Sequence, residues 1–239
     1  MIQWLMELGG RFHTAFVAEG RWKLYADGLV VTLELTVLAL ILGIVIGLVV
    51  AVIRSAHDQQ RPGRRNPLLG FVNVLLNIYT TVIRGTPMMV QILIWCFVIF
   101  TSSRNKIMVG AIGLGINSGA YVAEIIRGGL MSVDVGQSEA GRSLGLNYFD
   151  TMRFIVVPQA FKNILPSLGN EFITLLKDTS LISVVGGKEI VYFAQAIITR
   201  TYETMYPYLI TAVMYLILVL IFTWLQGILE RRLRASDRR

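Results

Sequence analysis

From Gly28 to Ile53 the chain carries one charge, Glu34, in an otherwise apolar or neutral run. A bilayer core of ~30 Å is crossed by about 20 helical residues, so this run can span on its own. Backbone that enters lipid must satisfy its own hydrogen bonds, which makes the run a helix. A second run, Pro207–Leu229, has no charge at all. Composition agrees, with 54% of the residues apolar and 15% charged, where soluble domains carry ~25% charged residues. This balance excludes a disordered chain, a nucleic-acid-binding tail and a typical soluble enzyme. The fold class expected is an all-α membrane protein.

Three weaker runs lie between these two. Ile78–Phe100 contains Arg84 and the helix-breaking Gly85-Thr86-Pro87, Ile107–Ile126 contains Glu124, and Ile164–Val185 contains Glu171, Lys177 and Asp178. Pro67–Ile83 reads as a helix that starts along the interface and turns inward at Arg84. About five transmembrane helices follow, in one domain. With five spans the ends face opposite sides. A cytoplasmic C-terminus places twelve Lys and Arg inside (Arg54–Arg65, Arg142–Lys162 and Arg231–Arg239) against seven outside, so the N-terminus is expected outside. No basic leader precedes an apolar core near the start, which argues against a cleaved signal. Leu5, Phe12, Phe16 and Trp22 fit an amphipathic segment on the membrane surface; a loosely ordered end fits equally.

No energy-converting or bond-breaking chemistry is legible. Gly186-Gly187-Lys188 is followed by Glu189 and not by Ser or Thr, so no phosphate-cradling loop forms. There is no HExxH pair and no serine in a G-x-S-x-G elbow. The one cysteine, Cys96, lies in an apolar run, and His13 and His57 are far apart. No catalytic residue, metal site or cofactor is therefore expected on this chain, and ATP-driven work would need ATP and magnesium on a partner subunit.

The polar segment 137–160, on the side expected to be cytoplasmic, reads as two short helices. Ser138 is a candidate N-cap, Gly145 a left-handed stop, Asp150 a cap for the second helix, and Pro158 a bend or restart. Such a hook can lie in a groove of another protein and transmit rigid motion.

Glu139-Ala140-Gly141, then Gly145, then Ile155-Val156-Val157-Pro158 resembles the EAA motif of binding-protein-dependent ABC importer permeases. Gly141 stands where that pattern has alanine and Val157 where it has leucine; Gly141 costs up to ~1 kcal/mol of helix propensity. Further stretches are similar to the polar amino acid branch: Asp27–Leu33, Arg84-Gly85-Thr86-Pro87, Tyr121–Gly129, and Leu165-Pro166 through Leu181. The similarity covers roughly residues 27–232. It implies the type I importer permease fold for a permease domain at 28–230; the charge balance above makes 1–27 an extracytoplasmic segment and 231–239 a basic cytoplasmic tail. The similarity implies a coupling helix at about 137–147, with Glu139, Ala140, Gly141, Arg142 and Gly145 contacting the ATPase. The partners implied are ABC ATPase subunits, a second permease chain (identical or related) and an extracytoplasmic amino-acid-binding protein, in the inner membrane of a prokaryote. Lipid is the remaining partner, and nucleic acid is not one.

Ser167, Glu171, Thr174 and Asp178 fall at i, i+4, i+7 and i+11, on one helical face. Each charge at membrane depth costs roughly 2.5–3.5 kcal/mol, so this stripe should face protein or water. It is a candidate substrate path, with carboxylates suited to an ammonium or guanidinium. Lys177 could neutralise Asp178, meet a substrate carboxylate, or simply reach to the interface. Glu124 and Arg127 are three residues apart and suit a structural ion pair. Arg84 and Pro87 mark either a gate or the depth of the second span. Glu34 suits packing between chains. Alternatives in other classes are a permease for another solute, an ATP-independent channel or carrier, and an intramembrane enzyme, for which no catalytic constellation is visible.

Overall fold

The computed structural model describes residues 9–60 and 66–236, with side chains to Leu233. Leu5 of the proposed amphipathic segment and the arginines at 61, 64, 65, 234, 238 and 239 lie outside that description. Among the described residues every regular element is helical. The long helices are α1 (Trp22–Asp58), α2 (Pro67–Gly85), α4 (Lys106–Met131), α7 (Val157–Asp178) and α9 (Met205–Ser236). Between them lie α3 (Met88–Ile94), α5 (Val135–Ser143), α6 (Tyr148–Thr151) and α8 (Ile190–Thr201).

Local chemistry sets these boundaries. Asn66 caps α2 by accepting from the Leu68 and Leu69 amides, with Pro67 in the first turn. Pro87 forces Thr86 out of the helical region, to φ −115° and ψ 146°, and α2 stops at Gly85. The run Ile78–Phe100 is thus not one helix. Pro67–Gly85 is itself long and apolar enough to span, and Met88–Ile99 is a shorter separate piece. The run Ile164–Val185 belongs to a longer stretch, Tyr148–Val185, which meets Ile190–Thr201 at a bend of 43°. Gly186, at φ +87°, makes that turn. Among the described residues four helices can cross a membrane by length and composition, or five if the bent pair is one span.

The residues group into two compact units. One comprises residues 1–39, 88–114 and 173–224. Its core includes Tyr25, Leu35, Ile92, Leu114, Leu176, Ile182, Ile190 and Ile197. Gly28 lets α1 touch the start of α8: a Cβ there would lie 2.8 Å from the Ile190 Cα. Cys96 is buried in this unit.

The other comprises residues 40–87, 115–172 and 225–239. Here α1 and α4 pack through two glycine pairs, Gly43/Gly47 and Gly115/Gly119. A Cβ on Gly47 would stand 2.6 Å from Val122, and one on Gly119 would stand 2.7 Å from Ile46. Close backbone approach through small residues is how helices associate in lipid, where apolar burial supplies little drive. Tyr79 donates to the Ile116 carbonyl at 2.6 Å, tying α2 to α4. Gln226 of α9 donates to the Pro166 carbonyl and to Asn170 at 3.2 and 3.0 Å.

Candidate functional site

The hook forms as two short helices, though with caps other than those expected. Asp134, not Ser138, caps α5 by accepting from the Gly136 amide at 2.7 Å. Ser138 lies inside the helix. Asn147, not Asp150, caps α6 by accepting from the Asp150 amide at 2.9 Å. In both cases the turn before the helix supplies the cap, and the motif residue falls one turn later. Gly145 ends α5 at φ +83° as expected. Glu139, Ala140 and Arg142 are exposed, while Gly141 is buried.

At Gly141, α5 packs closely against the following segment. A Cβ there would lie 2.9 Å from Ile155 Cδ1 and 3.2 Å from Thr151 Cγ2. Large apolar side chains remain outside the contact: Leu144 is 82% exposed, and Tyr148, Phe149 and Phe154 are all exposed above half. The hook therefore presents a charged ridge beside an apolar patch.

At the neighbouring ends of α1 and α4 an ion ladder forms. Arg54 Nη1 lies 2.5 Å from Glu124 Oε1. Arg127 bridges Glu124 at 3.6 Å and Asp58 at 3.2 Å. Arg54 also reaches Thr80 of α2, at 3.3 Å. The Glu124–Arg127 pair expected from spacing is thus the longest of the three ion-pair links among Arg54, Glu124, Arg127 and Asp58. Arg84 stacks on Tyr121, 5.3 Å from the ring centroid. Pro87 acts as the breaker described above.

The polar stripe lies along α7. At 100° per residue Ser167, Glu171, Thr174 and Asp178 share an arc of about 60°, with Lys177 outside it. Ser167, Glu171 and Asp178 are half-buried, whereas Thr174 and Lys177 are exposed. Glu171 Oε1 accepts from Ser118 of α4 at 2.7 Å, and Ser118 is fully buried. Glu34 is exposed on α1.

Five partnered side chains do not show in spacing alone: Arg54, Asp58, Ser118, Glu189 and Tyr215. Glu189 is fully buried, caps α8 through the Val191 and Tyr192 amides, each at 2.9 Å, and accepts from Tyr215 at 2.8 Å. A charged residue directly before the apolar run 190–199 is the signal that marks it. Among the described residues no three metal-capable side chains gather.

Comparison with known proteins places this arrangement. Residues 43–235 match the family described as binding-protein-dependent transport system inner membrane component. A Rickettsia typhi protein provisionally named as the glutamine transport system permease GlnP is 37% identical, covering 87% of this chain and 91% of its own. The arginine transport system permease ArtQ of Bacillus subtilis is 37% identical over 68% of this chain and 76% of its own. The crystal structure of an amino acid ABC transporter with histidines superposes with a TM-score of 0.79 at 40% identity, covering 88% of this chain and 94% of that one. A MetNI methionine ABC transporter structure, at 18% identity and a TM-score of 0.76, shares the fold.

Proposed function

The chain belongs to the family of binding-protein-dependent transport system inner membrane components, and from that premise we propose that it is the membrane subunit of an ATP-driven amino acid importer. Relatives that move glutamine and arginine support a polar amino acid as the substrate class. The chain forms half of a translocation path and performs no bond chemistry itself. A second permease chain, identical or related, completes the path. ABC ATPase subunits bind ATP and magnesium beneath it, and an extracytoplasmic binding protein delivers the solute. The N-terminus lies outside and the C-terminus in the cytoplasm.

The observation that carries the reading is the hook: a capped two-helix element with Glu139 and Arg142 exposed beside exposed Leu144, Tyr148 and Phe149. Those side chains suit the groove of an ATPase. Nucleotide-driven closure of the ATPases moves the hook and turns the helices joined to it, opening the path to one side and then the other. The stripe of Ser167, Glu171, Thr174 and Asp178 lines that path, with Lys177 beside it. Glu139→Lys and Arg142→Glu should each leave the chain in the membrane yet abolish the rise in ATP turnover caused by loaded binding protein. Normal stimulation in both variants would remove the hook from the coupling role. Glu171→Gln and Asp178→Asn should lower uptake of labelled amino acid more than they lower assembly; full uptake in both would detach the stripe from the path.

A further inference from the structure

A cavity of about 810 Å³ opens beside the hook, entirely within the second unit. Its volume lies in the range of small-molecule sites. One wall is made by the ends of α1 and α4, with Asp58, Arg127 and Met131; the other is made by the hook, with Arg142, Tyr148 and Met152. We propose that this cavity binds an anionic phospholipid, its phosphate held between Arg127 and Arg142 and an acyl chain laid on the apolar floor. The placement rests on the reading above, in which the hook lies at the cytoplasmic interface.

Charge selects the headgroup. The lining holds two guanidinium groups and one carboxylate, Asp58. That carboxylate already sits 3.2 Å from Arg127 Nη1, and Glu124 lies 3.6 Å from Arg127 Nε; Arg127 therefore offers a phosphate its remaining N–H donors, and no lining carboxylate is left for the ammonium of a free amino acid. Arg142 uses Nε on the Ser138 carbonyl, at 3.3 Å, and meets no acidic side chain among the described residues. A guanidinium has five N–H donors in a planar fork that matches phosphate oxygens. Composition selects the tail. Leu130, Met131, Val133, Val135, Met152 and Val156 line much of the remainder. Ser55, Gln59, Ser138, Tyr148 and Thr151 stand alongside them, and inorganic phosphate would gain nothing from the apolar six. Basic pockets between helix ends on the cytoplasmic side suit acidic lipid headgroups. Since the walls belong to the hook and to the span ends, an occupant braces one against the other.

The test uses the full importer, permease with its ATPase partners, in nanodiscs of phosphatidylcholine alone or mixed in equal parts with phosphatidylglycerol. Native mass spectrometry reads the lipid retained after detergent extraction. Wild type should retain phosphatidylglycerol in preference to phosphatidylcholine, and Arg127→Gln should weaken that retention about fivefold, the value of one arginine near an acidic lipid. Val133→Trp fills the cavity without touching a charge and should abolish retention while the complex stays assembled. Soluble glycerol 1-phosphate should not displace the lipid; displacement would assign the site to a free phosphate ester. Equal retention by wild type and both variants would overturn the proposal. Cross-linking of Glu139→Cys to the ATPase is read separately, so failure of the lipid site and failure of the hook's coupling role are distinguishable.

Discussion

α4 and α9 can both cross a membrane, and they meet their surroundings in opposite ways. The apolar stretch of α4 has a mean hydropathy of 1.4 and is 72% buried; that of α9 has 2.4 and is 6% buried. The less apolar helix is the interior one. In water this order would be perverse, but in lipid a leucine gains little by leaving the tails for the protein. What buries α4 is its set of small and polar residues, Gly115, Ser118, Gly119 and Ala120 among them, which permit contact or need a partner. What exposes α9 is a surface of Leu209, Val213, Leu216 and Leu220 that already suits lipid. α2 sides with α9, at a mean hydropathy of 1.4 and 6% buried; its exposed Phe71, Val74 and Ile78 present an apolar face to lipid or to a second chain.

The sharpest way to break this contrast is to enlarge glycines on each side of it. Gly47→Leu or Gly119→Leu drives a side chain into Val122 or Ile46 across a gap a Cβ already overfills. Overpacking of this kind costs about 3 kcal/mol, and the protein recovered in the membrane fraction should fall at least tenfold. Gly70→Leu on α2 and Gly227→Leu on α9 meet nothing within 4 Å and should leave that level unchanged. Equal damage from Gly227→Leu would show that α9 is as enclosed as α4.

Next in size is Glu189, the buried carboxylate of the first unit. Glu189→Ala removes the cap of α8 and leaves the Tyr215 hydroxyl without its acceptor. Lost caps cost about 1–2 kcal/mol, so the melting temperature in detergent should drop by several degrees. Glu189→Gln keeps a carbonyl oxygen in place and should recover roughly half of that loss. A melting temperature unmoved by the alanine change would mean that the bend at Gly186 holds α8 without help.

Arg54→Met should be milder. It leaves Glu124 with Arg127 alone, at 3.6 Å, in a site that water partly reaches. A buried pair broken on one side costs several kcal/mol, and partial exposure reduces this to about 1 kcal/mol. The double change Arg54→Met with Glu124→Gln removes the stranded charge and should melt higher than Arg54→Met alone. If it melts lower, the two side chains act independently.

The contrast also explains what could be read from sequence. The long runs at 28–53 and 207–229 were plain because lipid demands uninterrupted length. The helix start at Pro67 is legible, but hydropathy alone puts the apolar run at Ile78–Phe100, because Asn73 and Asn77 dilute α2 while Pro87, where the helix breaks, sits inside that run. The hook was legible through its spacing and its glycine, but its caps were not. Asp134 and Ser138 are both chemically fit for the role, and only the chain's path after Met131 chooses between them. Half of the ion ladder showed as Glu124 and Arg127. Arg54 and Asp58 are 70 and 69 residues distant from their partners, and no local period reports such a pairing. The glycine pairs at 43/47 and 115/119 carry the small-xxx-small pattern, so the α1–α4 contact was present in the sequence as a signal that hydropathy does not weigh.

The smallest effect concerns Gly141, where the chain departs from the alanine of the pattern it otherwise resembles. Helix propensity alone says that Gly141→Ala should stabilise α5 by about 1 kcal/mol. Packing opposes this. The new methyl would lie 2.9 Å from Ile155 Cδ1, the mobile end of its side chain, and 3.2 Å from Thr151. Thr151 is branched at Cβ and tied to the Asn147 carbonyl at 2.9 Å, so it yields less readily. The two terms should nearly cancel, leaving hook stability, read by amide hydrogen exchange over 135–144, within about 0.5 kcal/mol of wild type. Shortening the opposing side chain separates them: Gly141→Ala with Ile155→Val should protect those amides more than either single change does. An unaided Gly141→Ala that gains the whole propensity term would show that α5 and the following segment are not pressed together at this point. A loss beyond about 1 kcal/mol would show that Thr151 cannot move, and that glycine here is required by contact.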